Sequence, residues 1–307
     1  MRATGALLLG LALSVTICAC GSGSSAGTSA SKPASTAQSN GAAARFLAGY
    51  VSADGRVIRH DQGGDIVSEG QAYGMLIAEL AHRPSLARTI WSWTRAHLQR
   101  ADGLLASHAD GDGKLLDPHS ATDGDILTAY ALLRYAGPGQ AQLHSAGRRL
   151  AGAVLANEAV KLPDGALLPV AGPWARTTSP PVVDPSYLMP GIFAALAGLT
   201  GDARWHAAAR ASVTAVSTLT GGGSRLPSDW ASLSGGRLTP IPAPGGAAPV
   251  QYGPDAARLP IWFAAACDTD ARRLAADWWR NVLRTDDRSV ATVLSLSGAT
   301  IDEAAAP

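Results

Sequence analysis

Residues 68–75, Ser68-Glu69-Gly70-Gln71-Ala72-Tyr73-Gly74-Met75, open a helical pattern with a glycine in the first turn, directly behind an acid. Glycine there costs roughly 0.5–1 kcal/mol relative to alanine. Ser68 followed three residues later by Gln71 has the form of a capping box, which predicts a helix N-terminus at Ser68. Residues 122–125, Thr122-Asp123-Gly124-Asp125, repeat the arrangement of cap, acid, glycine and polar partner. The helix dipole favours an acid in a first turn whatever its function. A glycine behind that acid, twice, has no such account, and it fits a ligand lying against the helix end where a side chain would obstruct it. Two acids with cleared space predict a cleft.

Outward from these stretches, apolar residues recur three and four apart over 70–82, 85–98, 125–136, 141–160, 187–199, 203–219, 255–267 and 270–284. Proline, glycine and aspartate separate the segments. Weaker patterns near 43–52 and 286–298 bring the expectation to ten or eleven helices. Strand alternation is nearly absent, so the domain is expected to be mostly α. The long connections, 101–121, 161–185 and 220–252, hold much of the glycine, proline and polar content, and loops gathered at one end of a helical scaffold are where a site is expected.

The chain has 307 residues, 47% hydrophobic and 16% charged, which suits one large domain over 43–307. Residues 1–20 carry Arg2 and a short apolar run, the pattern of an export signal. Their end, Ile17-Cys18-Ala19-Cys20, has the form of a bacterial lipoprotein box, with Cys20 acylated as the mature N-terminus; the alternative is cleavage among the following small residues and a secreted product. Residues 21–42 are nearly all Gly, Ser, Ala and Thr and are expected to be a flexible tether. Loss of Cys18 and acylation of Cys20 leave no internal disulfide expected in the mature domain, and Cys267, in an apolar run, is expected in the core.

The formal net charge is +1, and removing the leader takes Arg2 with it, so the mature chain is neutral. It lacks the basic footprint that holds a polyanion, which excludes nucleic acid and leaves a neutral polymer, a peptide or a small molecule. Asp110–Lys114 begins like a calcium loop, but Lys114 and Leu115 stand where a ligand and a glycine are required. The histidines have no metal-ligand spacing, and neither a phosphate loop nor a G-x-S-x-G elbow occurs. No metal or cofactor is expected, membrane contact is expected only through a lipid anchor, and the domain is expected to be a monomer.

The stretches 68–75 and 120–133 resemble the two signatures of glycoside hydrolase family 8, inverting bacterial enzymes that cut β-1,4-glucans and, in some branches, chitosan, xylan or mixed-linkage glucan. Residues 184–193 and 252–260 match further stretches in the expected order. The resemblance implies an (α/α)6 barrel with an open groove acting on a neutral β-linked polysaccharide. It assigns Glu69 as general acid, Asp255 as general base and Asp123 as the residue that orients water and sugar, though Asp123 has also been described as a nucleophile. It leaves Asp125 to brace the helix start and Arg258 to restrain the base.

Inverting hydrolysis needs one carboxyl still protonated and one ionised, roughly 6.5–9.5 Å apart. The helix dipole at Glu69 opposes its protonation, so burial against Tyr73 or a nearby ionised Asp123 must offset it. Trp174, Arg176, Tyr187, Trp230 and Tyr252 fall in or beside long loops and are candidates for sugar stacking and hydrogen bonding, whereas Trp91, Trp93, Trp262, Trp278 and Trp279 lie on amphipathic helices and are expected in the core. The chain departs from the family in three places. It has no tryptophan near Ser107 or His108, it places Pro254 before the base, and it ends so soon that the last helical hairpin must be minimal or incomplete. Alternative readings are the same acids acting on chitosan, xylan or mixed-linkage glucan, an inactive carbohydrate-binding barrel, or a structural surface lipoprotein.

Overall fold

Every residue from Thr122 to Leu133 is buried, which requires a helix enclosed by neighbours on all sides. The computed structural model that shows this describes residues 36–221, 224–246, 248–282 and 293–302. Ten helices occur among them: α1 Thr36–Tyr50, α2 Ser68–Leu80, α3 Pro84–His97, α4 Thr122–Arg134, α5 Gln140–Asn157, α6 Pro173–Arg176, α7 Pro190–Thr200, α8 Arg204–Ser217, α9 Leu259–Ala264 and α10 Thr269–Val282. Helices α2, α4, α7 and α9 pack successively against one another and form an inner row. Helices α1 and α3 lie outside α2, α5 outside α4, α8 outside α7 and α10 outside α9. The outer helices are two-faced: α10 buries Ala271, Ala275, Trp278 and Val282, four and three residues apart, and leaves Trp279 exposed. Trp279 therefore corrects its expected place in the core, while Trp91, Trp93, Trp262 and Trp278 are buried.

Short antiparallel strands occupy the connections. β1 Ile66–Val67, β2 His108–Ala109 and β3 Leu115–Asp117 form one sheet; β4 Ala159–Lys161 and β5 Leu167–Pro169 a hairpin; β6 Val182–Val183, β7 Trp230–Ser234 and β8 Arg237–Ile241 a second sheet; and β9 Val293–Leu294 and β10 Thr300–Asp302 a last pair. Runs of two to five residues are too short to show alternation in sequence, which is why the helical pattern hid them. Gly235 and Gly236, both at positive φ, close the β7–β8 hairpin as a two-residue turn of that kind requires.

Four local expectations are corrected. Val293–Leu294 is a strand where a weak helix over 286–298 was expected; Tyr252 bridges its Leu294, and residues 283–292 lie outside those described. Helix α1 starts at Thr36, inside the stretch expected to be tether, because its Ala, Gln and Ser content tolerates helix once Ala43 and Leu47 have a core to enter. Val67, not Ser68, is the N-cap of α2, and the Gln71 side chain turns inward to accept from Val57 N (2.5 Å) and donate to Thr94 Oγ1 (2.8 Å), so no capping box forms. Cys267 follows α9 exposed rather than buried. The proposed leader, Cys20 and the first part of the tether lie outside the described residues. No described helix is long and apolar enough to cross a membrane.

Candidate active site

The N-terminal ends of all four inner helices meet at one place. Glu69 stands in the first turn of α2 and Asp123 in the first turn of α4. Asp184 caps a 3-10 turn, Pro185–Tyr187, that leads into α7, and Asp255 precedes a second such turn, Ala256–Arg258, that leads into α9. Helix N-termini carry unpaired N–H groups and the positive end of the dipole, so carboxylates collect there at low cost. Two of these carboxylates are bound by backbone N–H groups within two residues: Asp123 Oδ1 accepts from Gly124 N (2.8 Å) and Asp184 Oδ1 from Ser186 N (2.8 Å).

The Arg258 guanidinium lies among all four acids. Nη1 donates to Glu69 Oε1 at 2.8 Å and lies 3.5 Å from Asp123 Oδ2. Nη2 donates to Asp255 Oδ1 at 2.9 Å and to Ser186 Oγ at 2.8 Å, and lies 3.5 Å from Asp184 Oδ2. Ser186 Oγ in turn donates to Asp184 Oδ1 at 2.7 Å. Tyr73 Oη donates to Glu69 Oε1 at 2.9 Å, and the Arg258 guanidinium carbon sits 5.7 Å from the centre of the Tyr187 ring, within cation–π range. Leu127, Met189 and Trp262 wall the floor, so Trp262 is a core residue that also borders the site.

One cation among four acids cannot neutralise them all. Burial pushes the Asp123 carboxyl well above the usual carboxylate range, with the Glu69 charge adding to the effect, and burial pushes Asp184 up to about 8 despite Arg258. Asp255 is also raised by burial, although its side chain is 37% exposed. Burial works against the Arg258 charge, but Glu69, Asp184 and Asp123 hold it firmly protonated. This bears on one expectation: burial opposes the ionisation of Asp123 that would let it raise Glu69.

Of the residues singled out in sequence, Glu69, Tyr73, Asp123, Tyr187, Asp255 and Arg258 come together. The others are placed elsewhere. Asp125 is completely buried behind α4, where Oδ1 accepts from Leu105 N. Arg176 is exposed and donates to the Ala156 carbonyl near the end of α5. Tyr252 is core, 5% exposed, and offers no open face for a sugar. Trp174 on α6 and Trp230 on β7 are half-buried and packed against the core. Sequence reasoning missed Asp184 and Ser186, although the Asp-Pro-Ser pattern of a capped turn marked them, and it missed Asp229. Asp229 accepts from Gly253 N (2.8 Å) and Ala256 N (2.9 Å), fixing the loop that carries Asp255. No local pattern could have linked Asp229 to a loop more than twenty residues away.

The glycines also divide. A Cβ on Gly124 would lie 2.1 Å from Ser68 Oγ and 3.0 Å from Glu69 N, so this glycine lets α4 press against the start of α2. A Cβ on Gly70 would meet only Val67 Cγ2, at 3.4 Å, and otherwise faces open space. Where a tryptophan is missing near Ser107, His108 Nε2 and Arg59 Nη2 both bind Asp65, at 2.7 and 2.5 Å. A larger cavity, about 820 Å³, lies between α8 and the β4–β5 and β7–β8 hairpin tips. It touches none of the four acids, and convergent charge rather than volume marks the site.

The comparisons with known proteins agree with this geometry. The model of "Glycosyl hydrolases family 8" matches residues 25–300. A "Probable endoglucanase" of Novacetimonas hansenii is 33% identical over 226 residues, which cover 71% of this chain and 64% of that relative; the chain thus spans less than two thirds of its length. Among solved structures, the endo-beta-1,4-glucanase CMCax from Acetobacter xylinum superposes with a TM-score of 0.72 at 28% identity, over 84% of this chain and 81% of that one. A Beta-1,3-1,4-glucanase from Paenibacillus sp. X4 superposes at 0.74 over 89% and 80%, at 24% identity, a likeness of fold alone. The inner and outer helical rows are those of an (α/α)6 barrel, and the chain belongs to family 8 of the glycosyl hydrolases.

Proposed function

We propose that the protein is an endo-acting hydrolase of β-1,4-linked glucan that works with inversion, with Glu69 as general acid, Asp255 as general base and Asp123 positioning water and sugar. The observation that carries this reading is that Arg258 draws Glu69, Asp123 and Asp255, from the N-terminal ends of two inner helices and the turn leading into a third, to one partly exposed site. Its two hydrogen bonds place the bound oxygens of Glu69 and Asp255 no more than roughly 8 Å apart, because a guanidinium is rigid and planar, so the two carboxyls flank one site, and the product anomer decides between inversion and retention. Both groups are partly exposed, so substrate and water can reach them. Glu69 Oε1 already accepts from Tyr73 and Arg258, so Oε2 is the atom that carries the transferable proton. Asp255, held by Arg258 and exposed on one side, is the base that activates water. The neutral chain and the relatives' endoglucanase names favour a neutral β-glucan as partner. The leader-like residues 1–20 support action outside the cytoplasm, by a monomer either anchored through a lipid at Cys20 or secreted.

The test is reducing-end release from carboxymethyl cellulose, barley glucan, xylan and chitosan beside a Glu69→Gln control. The reading expects release from a β-1,4-glucan, a loss of at least about 100-fold in the control, and first products in the α configuration by proton NMR. Saturable binding without release would make the domain a carbohydrate-binding barrel instead.

A further inference from the structure

Asp255 occupies the N-cap position of the turn Ala256–Arg258, yet its side chain makes no cap hydrogen bond. An aspartate in that position ordinarily folds back onto the N–H groups that follow it. Here each of those groups has another acceptor. Ala256 N donates to Asp229 Oδ1 at 2.9 Å, Ala257 N to the Gly253 carbonyl at 3.0 Å and Arg258 N to the Asp255 carbonyl at 3.1 Å. The Asp255 carboxylate is thereby left outside the turn, bound to Arg258 Nη2 at 2.9 Å and 37% exposed.

Asp229, directly before β7 and buried, meets this loop with both carboxylate oxygens and its backbone. Oδ1 also accepts from Gly253 N (2.8 Å), Oδ2 accepts from Gln251 Nε2 (3.1 Å), and Asp229 N donates to the Gln251 carbonyl (2.9 Å). A Cβ on Gly253 would lie 2.4 Å from Asp229 Oδ2, so glycine is what lets the carboxylate come this close. Next to it, Tyr252 exchanges both backbone hydrogen bonds with Leu294 of β9, at 2.9 Å each.

We propose that Asp229 is the positioning residue of the base: it caps the turn in place of Asp255, so that the Asp255 carboxylate stays free for Arg258 and water. One carboxylate oxygen can accept two N–H groups at once, and here it gathers Gly253 and Ala256, which flank Asp255, onto a single point. The same charge lies one peptide group away from the base. The charged groups that bear on Asp255 are Arg258 of its own turn, Asp229, Glu69 on α2 and Asp184 before α7. Burial raises the Asp255 carboxyl, Arg258 opposes the rise, and Asp229 and Glu69 add to it. Asp229 thus fixes where the base stands and favours its uptake of a proton from water. The kinetic part of this inference rests on the function proposed above; the capping does not.

The experiment compares wild type, Asp229→Asn, Asp229→Ala and Gly253→Ala by kcat and KM on barley glucan from pH 4 to 8, and by amide hydrogen exchange at Gly253 and Ala256. Asp229→Ala should lower kcat about tenfold with KM little changed, and both amides should exchange faster. Asp229→Asn keeps Oδ1 for both N–H groups, and Gln251 can rotate its amide to accept from the new NH2. It should recover most of the rate that Asp229→Ala loses, with both amides protected. With the charge gone, the acid limb of kcat/KM, which reports the base of the free enzyme, should move to lower pH. Gly253→Ala removes no polar group but drives a methyl into the carboxylate, and it should lower kcat as Asp229→Ala does. The double variant should be no slower than Asp229→Ala alone. An Asn variant as slow as the Ala variant would overturn the capping, as would unchanged exchange in Asp229→Ala. An unmoved acid limb in Asp229→Asn would overturn the effect of its charge, and an unchanged kcat in folded Asp229→Ala the positioning role. If wild type releases no sugar from any glucan, the proposed function fails, and amide exchange still decides the capping.

Discussion

Replacing Arg258 separates what the four acids do from what holds them. Arg258→Ala leaves Asp123 and Asp184 buried with no counter-charge, and breaking such a cluster costs about 3–5 kcal/mol where the acids must stay ionised. Because both acids are raised by burial, they accept protons as pH falls. The loss should therefore be large at pH 8.5 and much smaller at pH 5, as urea denaturation at the two values would show. Arg258→Lys should not restore activity, since one ammonium cannot bridge Glu69 and Asp255 as the planar fork does. Asp184 was the member hidden in sequence: an aspartate before a proline reads as a turn cap, which it is, and only its 3.5 Å approach to Arg258 adds it to the cluster.

At the scale of elements, the two glycines that first suggested a cleft behave differently. Gly124→Ala puts a methyl into the backbone of Glu69 and the Ser68 side chain, so α2 and α4 must separate. A loss of about 1–3 kcal/mol and a lower kcat are expected, read by denaturation and steady-state kinetics. Gly70→Ala meets ordinary contact only and removes glycine from a helix, so its stability should be unchanged or up to about 1 kcal/mol higher. Any cost should appear in KM, as obstruction of a sugar. Asp229→Ala, far from the acids in sequence, frees Gly253 N and Ala256 N and should lower kcat by loosening the Asp255 turn, at a stability cost of about 1–3 kcal/mol. The helices themselves were legible because their apolar spacing is local; the two- to five-residue strands were not, because strands that short are defined by their partners.

For the whole molecule, Asp123, Asp125, Glu158 and Asp184 are all raised by burial. The folded protein therefore binds more protons than the unfolded chain between the ordinary carboxylate range and about pH 8, and in that window stability falls as pH rises. Urea midpoints should be higher at pH 5.5 than at pH 8.5, the reverse of a protein stabilised by salt-bridged surface carboxylates.

The sequence alone determined the mostly helical class, the order of the main helices and the identity of the two acid–glycine helix starts, because each depends on residues within one or two turns of each other. Tertiary structure alone decided that Asp184 and Asp229 serve the same site as Glu69, that Asp125 turns away to Leu105, that Tyr252 is core, and that Gly124 makes room for a helix rather than a ligand. Those outcomes depend on distances between segments far apart in the chain, and on which carboxyls lose their water when the inner helices close around Arg258.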